Sequence, residues 1–553
     1  MGRSEQAIQH YRQAWRHSAE LVDAVVWGTR LLLEAQKYSD ALNWTTDASN
    51  RHPGRDDVKI LHGEVLFRLG RDDDAHTVWQ EVLLARPEWH RPYVLIVDAL
   101  TRADSAEQAL RYARRGERDT PQKALFARRT AELALAQDDF PSAAEALVRY
   151  VSHDPERTDD AIVLLDRANP SRVDSDSLSK TFTAALKTRP QQPGLHRLAA
   201  QSLVAAGHPL AAVEQMAVAS RMEKDQGQRL YDFAATLKAQ DELASSAEAL
   251  NRLALEFPRS PLVPAARFAQ AQALESAGLF ELAAEPYRQI ISHGRSQYAD
   301  RAKLSLAAII LETGGDIAEA DRLYRQLTAR GGRKALAWEG TFGQGMCAVW
   351  RSDFEVARRH FGGLAANTGS QKWQAAQLEL VRIGFYQGDA KSTNEAMEPL
   401  TTDHPHLAQT NDALSLRLLL AEAEYDTGAW RYAGRVAHHL RIGQYDSVLS
   451  MASGLSNSRP LNDWILLQGA KAAVKTGDKT LAVNYWEQVT SEFSDGTYAD
   501  DALWELGRFQ ETYAGSATAI ETYDRLLEKY PESPLAAKSR AAIRQLRSQT
   551  NST

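Results

Sequence analysis

The run LHGEVLFRLGRDDDAHTVWQEVLLARP, Leu61 to Pro87, decides the reading of the whole chain. Leu61, Gly63 and Leu66 share one helix, Ala75, Trp79 and Val82 the next, with Gly70 between them and Pro87 behind. Gly70 suits a left-handed helix cap because it has no Cβ to clash. Pro87 cannot continue a helix and stops the second one. Small Gly63 and Ala75 let two helix axes approach, and Trp79 fills the space beside them. The carboxylates of Asp72, Asp73 and Asp74 stand where a helix N-terminus attracts negative charge. Calcium would need more ligands at regular spacing.

Working outward, Ala7, Ala41, Ala75, Ala109 and Ala143 stand 34 residues apart, and Pro53, Pro87, Pro121 and Pro155 keep the same step. Two residue types locked to one period mean a copied structural unit. One residue is then inserted, and Leu178, Phe182 and Ala185 lead to Pro190. Register resumes with Ala200, Leu203, Gly207, Ala212 and Met216, and past Pro258 the connectors lengthen. The last unit, marked by Gly507, Ala519, Tyr523, Leu526 and Pro531, is close to the pattern of the first. A lone helix pair cannot bury its apolar face, so neighbours must stack.

This small–large–small pattern resembles the tetratricopeptide repeat. The resemblance implies an all-α fold, a right-handed α-solenoid superhelix of about fourteen helix pairs with a C-terminal capping helix from Pro534 to Arg547. The spacing divides the chain into an N-terminal array over 1–258 that starts in mid-repeat and a middle array with longer connectors over 259–440. An irregular linker or hinge over 441–460 and a C-terminal repeat pair with cap and tail over 461–553 follow. Ala7, Tyr11 and Ala14 occupy second-helix positions with no first helix before them, which favours a chain that begins further upstream.

The connectors Glu256–Leu262 and Lys529–Leu535 share an aromatic-Pro-x-Ser-Pro order. They resemble links in periplasmic repeat proteins of the Tol–Pal coordinator and outer-membrane assembly lipoprotein families. There Ser is expected as the cap and Pro as the first helical residue. That resemblance places the chain in the periplasm if a signal peptide lies upstream, and otherwise in the cytoplasm.

Bulk composition excludes several classes. A net charge of −7 and a pI near 6.1 argue against a whole-molecule nucleic-acid binder. The single cysteine, Cys347, rules out a disulfide framework and a cysteine-rich zinc site. No apolar run reaches the length of a membrane span.

In the repeat family, first helices line a concave groove that receives peptides. Here that resemblance assigns Tyr231, Phe268, Phe342, Met346, Leu378, Phe385 and Trp504 to the groove, where they would hold an apolar or amphipathic protein segment. The alternative for each is ordinary core. The subtype that clamps a C-terminal carboxylate uses Lys and Asn at positions held here by Arg128, Arg197, Glu132 and Gln201, so that activity is not expected. Arg111, Arg114, Arg115 and Arg118 form one basic stripe on a second helix, readable as a docking face or as a solvated surface balanced by Glu107, Glu117 and Asp119.

Chemistry is harder to find. Asp403, His404 and His406 lie together in a turn without further ligands, and the adjacent His438 and His439 point about 100° apart on a helix. Gly340, Gly343 and Gly345 lack the preceding strand of a dinucleotide site and read as close-approach positions. Cys347 has no helper base. The expectation is therefore a scaffold with no catalytic residue, cofactor or metal, binding a protein or peptide partner and no nucleic acid. A regulatory or structural subunit of an enzyme complex is the alternative, and nucleic-acid binding through the arginine stripe of Arg111, Arg114, Arg115 and Arg118 is a third reading.

Overall fold

The computed structural model describes residues 2–167, 174–294, 296–329, 336–366, 372–402, 408–423, 426–455 and 460–550. All regular structure among the described residues is helical. Two compact units divide the chain, Met1–Leu279 and Phe280–Thr553.

Unit 1 contains α1 (Gly2–His17), α2 (Val22–Glu34), α3 (Tyr38–Arg51), α4 (Asp56–Arg68), α5 (Asp72–Ala85), α6 (His90–Arg102), α7 (Ala106–Asp119) and α8 (Lys123–Ala136). It continues with α9 (Phe140–His153), α10 (Thr158–Arg167), α11 (Ser175–Thr188), α12 (Pro193–Ala205), α13 (Pro209–Glu223), α14 (Gln228–Ala239), α15 (Leu243–Glu256) and α16 (Val263–Ser276). Unit 2 contains α17 (Phe280–Ser292), α18 (Ala299–Thr313), α19 (Ile317–Thr328), α20 (Ala337–Trp350), α21 (Phe354–Ala365), α22 (Trp373–Tyr386), α23 (Ala390–Thr401) and α24 (Ala408–Glu422). It ends with α25 (Thr427–Arg441), α26 (Tyr445–Ser453), α27 (Asn462–Thr476), α28 (Lys479–Glu492), α29 (Ala499–Tyr513), α30 (Ser516–Lys529) and α31 (Ala536–Thr550).

Within each unit most consecutive helices pack against one another. The contact is built by one recurring device. A Cβ added at Gly63 would fall 2.3 Å from Trp79 Nε1, and at Gly28 it would fall 2.3 Å from the Trp44 ring. Gly345 against Phe361, Gly469 against Tyr485 and Gly507 against Tyr523 repeat the arrangement. In all five pairs the aromatic residue lies 16 positions after the glycine. A ring on the second helix thus fills a notch on the first. Trp79 is fully buried and donates through Nε1 to the Ile60 carbonyl at 3.0 Å.

Turns within the pairs are equally regular. Gly70 takes φ +74° as expected, and Gln36, Asp104, Asp138, Asp241 and Ser352 hold the same left-handed conformation without being glycine. Several second helices then begin on an aspartate cap: Asp139 accepts from Ser142 N, Asp353 from Val356 N, and Asp478 from Leu481 N. Asp72, Asp73 and Asp74 form the first turn of α5.

Unit 1 runs past Pro258 to Leu279. The reason is that apolar packing passes straight through the Pro258 connector: Leu250, Leu253, Phe257, Leu262 and Ala266 belong to one cluster. The stretch 441–460, expected as linker or hinge, carries α26, whose Val448 and Ala452 are buried against α27 residues such as Ile465 and Leu466. The Ser-Pro connectors also differ from expectation. Ser260 and Ser533 accept from Leu262 N and Leu535 N, so each makes a tight turn, and the helices start beyond the proline at Val263 and Ala536. The terminal α31 buries Ile543 and Leu546 against Ala519 and Tyr523 and leaves Lys538, Arg540, Arg544 and Arg547 exposed.

Candidate functional site

Unit 2 encloses a cleft of 840 Å³ between α18, α20, α22, α24, α25 and α27. Its most apolar wall is α20, where Trp338, Phe342, Met346 and Trp350 recur every fourth residue and so lie on one helical face. Trp338 and Phe342 stack at 4.9 Å with an interplanar angle of 16°, and Phe342 meets Phe361 edge-on at 5.2 Å. Across the cleft stand Tyr445 and Trp464. Trp338, Phe342, Trp350, Tyr445 and Trp464 are all half-buried, each offering part of a ring to the opening.

The far wall depends on α25 folding back onto α22. Gly434 makes this possible, since a Cβ there would sit 1.9 Å from the Phe385 carbonyl oxygen. The His438 side chain then reaches α20, and its Nε2–H donates to the Val349 carbonyl at 3.0 Å across 89 positions of sequence. Phe354 and Tyr386 pack on the imidazole at 5.0 and 5.3 Å. Burial holds His438 below its ordinary pKa, against the pull of the Val349 bond.

Charge lies at the rim. Glu379 is almost fully buried, bonded by Arg382 at 2.6 Å and approached by Arg441 at 3.7 Å, while Arg382 also reaches Asp412 at 3.0 Å. Burial, with the nearby Glu379 carboxylate, pushes the Tyr386 phenol up to about 12. Lys372 pairs with Glu339 and lies 5.2 Å from the Trp338 ring. Trp338 Nε1, Glu339 Oε2 and Glu379 Oε2 are buried without a hydrogen-bond partner among the described residues.

The seven residues assigned to the groove are not brought together. Phe342, Met346 and Phe385 line this cleft, and Leu378 lines a 330 Å³ hollow that shares Phe342, Arg382 and Asp412 with it. Phe385 is nonetheless only 2% exposed, closed over by Trp430 at 4.4 Å. Met346 and Leu378 are likewise buried, as is Phe268, which lies in unit 1 on α16. Tyr231 is half-buried against the α13–α15 core, and Trp504 packs on Tyr523 at 5.3 Å. Trp338, Trp350 and Trp464 were not singled out from sequence, although the fourfold step through Phe342 and Met346 marks the first two.

The basic stripe on α7 is engaged locally. Arg111 pairs with Glu107 at 3.7 Å, Arg115 and Arg118 share Asp119 at 3.2 and 2.8 Å, and Arg114 touches Ser142 at 3.5 Å. Glu117 turns instead to Arg149 at 2.9 Å. At the rejected clamp positions, Arg128 pairs with Glu132 at 3.1 Å and the buried Arg197 pairs with Asp159.

The reactive candidates fare as follows. Cys347 is fully buried, and burial pushes its thiol up to about 12. His438 and His439 have ring centroids 6.1 Å apart and separate partners. Asp403, His404 and His406 lie outside the described residues. Gly343 and Gly345 admit Tyr324 and Phe361, as close-approach glycines should. Among the described residues no group of three or more His, Cys, Asp or Glu side chains is arranged to hold a metal ion, and no helix is long and apolar enough to cross a membrane.

Tetratricopeptide-repeat family models match residues 231–300 and 501–533. These two segments are tetratricopeptide repeats by match, and packed helix pairs continue outside them. No curated protein sequence matches it. Among solved structures it is similar to a tetratricopeptide repeat protein from Parabacteroides merdae at 14% identity, covering 52% of this chain and 99% of that one with a TM-score of 0.31. It is also similar to Pseudomonas aeruginosa pilF at 16% identity, with 40% and 98% covered and a TM-score of 0.24. A third likeness is to the Naa15/Naa10 assembly bound to HypK-THB, at 13% identity, with 95% and 79% covered and a TM-score of 0.28.

Proposed function

We propose that the protein is a non-catalytic scaffold whose unit 2 cleft holds an apolar segment of a partner protein. The observation that carries this reading is the row of half-buried rings on α20 facing Tyr445 and Trp464 across 840 Å³. Aromatic side chains with one face still open gain about 25 cal/mol for each Å² of apolar surface a partner covers. Such residues, with arginine, dominate binding energy at protein interfaces. Arg382, Arg441, Lys475 and Asp412 around the opening then select among partners by charge.

Assembly or trafficking in the bacterial cell envelope is the setting we favour, supported by the aromatic-Pro-x-Ser-Pro connectors at Phe257–Pro261 and Tyr530–Pro534.

A photo-crosslinking residue tests the proposal. Placed at Phe342 or Trp464 in cells, it should trap discrete partner proteins, whereas the same residue at Arg114 on α7 should not. For a partner so obtained, Trp338→Ala should weaken binding by about 2 kcal/mol, as truncation of a central aromatic anchor does. Crosslinks confined to Arg114, or none from the cleft positions, would overturn the assignment. Partners drawn only from the cytosol would remove the envelope role while leaving the cleft.

A further inference from the structure

We propose that unit 1 carries a second binding site, an arginine-lined hollow among α2, α4 and α6 that accepts a carboxylate side chain from an acidic protein segment. The hollow has a volume of 510 Å³ and takes Arg30 from α2, Arg68 from α4 and Arg102 from α6. It is separate from the unit 2 cleft and stands independently of the function assigned there.

The charges explain the ligand. Glu64, 4% exposed at its side chain, is held by Arg102 through two bonds of 3.0 and 2.7 Å. That pair is complete. Arg30 and Arg68 have no carboxylate partner among the described residues, and the Nε–H of each is buried without an acceptor. A buried donor without an acceptor is unfavourable, and both guanidinia line one hollow that an oxygen acceptor can enter. Arg68 otherwise donates only to the Arg102 carbonyl, and the Arg30 guanidinium rests 5.4 Å from the Trp27 ring.

The rest of the array shows what is missing. Glu34, Arg68 and Arg102 occupy one register of the 34-residue step, and Arg30, Glu64, Asp98 and Glu132 another. Further along, the acids of the second register are matched by arginines outside it: Asp98 pairs with Arg129 at 2.7 Å, and Glu132 with Arg128 at 3.1 Å. At Arg30 the acid of that register is replaced by a base, and the ladder stops with two guanidinia unmatched. With Glu34 also at the hollow, three guanidinia face two carboxylates. One carboxylate balances the remainder. A phosphate dianion would exceed it and meet Glu34 and Glu64. Trp27, 55% exposed, stands beside the hollow with the half-buried Tyr11 and Tyr38, giving apolar footing to residues flanking the acid. That favours a peptide over a free anion.

Fluorescence anisotropy on the full chain tests this with a labelled synthetic peptide Leu-Ala-Phe-Glu-Leu, blocked at both ends, and its Gln counterpart. The Glu peptide should bind at least tenfold more tightly than the Gln peptide, and more weakly as salt is added. Arg30→Gln should reduce that binding at least tenfold with little change in melting temperature, since Arg30 pairs with no carboxylate among the described residues and meets the exposed Trp27 ring. Trp27→Ala, at an exposed position, should reduce it severalfold. Equal binding of the two peptides, or binding indifferent to both variants, would overturn the proposal. So would displacement of the peptide by inorganic phosphate at lower concentration than by butyrate, which would reassign the hollow to phosphate.

Discussion

A methyl group on Gly63 would overlap the Trp79 indole, which is fully enclosed and bonded to Ile60. Gly63→Ala therefore forces the indole or the helix axis to move, and overpacking of this kind costs about 1–3 kcal/mol. Urea unfolding followed by circular dichroism should show the loss, and an unchanged curve would mean the notch has slack. Asp501 makes a residue-scale prediction of opposite sign. Burial first, then Asp500 and Glu505, raises its carboxyl to about 6, with Lys471 opposing. An unfolded aspartate titrates near about 3.9. Ionising Asp501 thus burdens the folded state, not at all below the unfolded value and fully above the folded one. Asp501→Asn should accordingly stabilise the protein by about 1–3 kcal/mol at pH 8 and leave it unchanged at pH 3.5, measured by denaturant titration. The glycine–aromatic pairs were legible in the sequence because size and spacing both repeat. The left-handed turns at Gln36 and Ser352 were not, since neither residue type announces that conformation.

Among the helices, α25 shapes the cleft through contacts distant in sequence. Its Gly434 rests on the Phe385 carbonyl and its His438 reaches Val349. Period and hydrophobic pattern describe neighbours in sequence, so a contact spanning 89 positions left no trace there. The same limit explains why α20 could be read as an apolar face while Tyr445 and Trp464, which oppose it, could not. The His438 contact also carries a pH dependence. Phe354 on α21, Tyr386 on α22 and the Val349 carbonyl on α20 surround the imidazole, and His439 is the titratable neighbour that adds to its shift. Folded His438 takes up a proton less readily than the unfolded chain, whose histidines titrate near about 6.5. Its contribution is therefore intact above that value and lost progressively as pH falls below it. His438→Gln keeps an N–H for Val349 and cannot charge. Between pH 7 and 5 it should lose less stability than the parent protein, and a parallel loss in both would assign the acid sensitivity elsewhere.

Across the whole molecule, each unit is a run of local contacts, and helices far apart in sequence rarely meet. Stability in such arrays is a sum of terms between adjacent members. Hydrogen exchange read by mass spectrometry should then show Gly63→Ala loosening α3 to α6 while α27 to α31 keep their protection, and Gly507→Ala doing the reverse. Uniform loosening would point to one cooperative block. The division at Leu279 was not legible from connector length, because the core runs on beneath the longer link at Pro258. The ring-and-notch pairs have a last consequence, for descent. Neither Gly63 nor Trp79 is free to drift alone, since a larger neighbour has no room and a smaller one leaves a void. The two should be inherited as a couple, changing hands together in lineages where either changes at all.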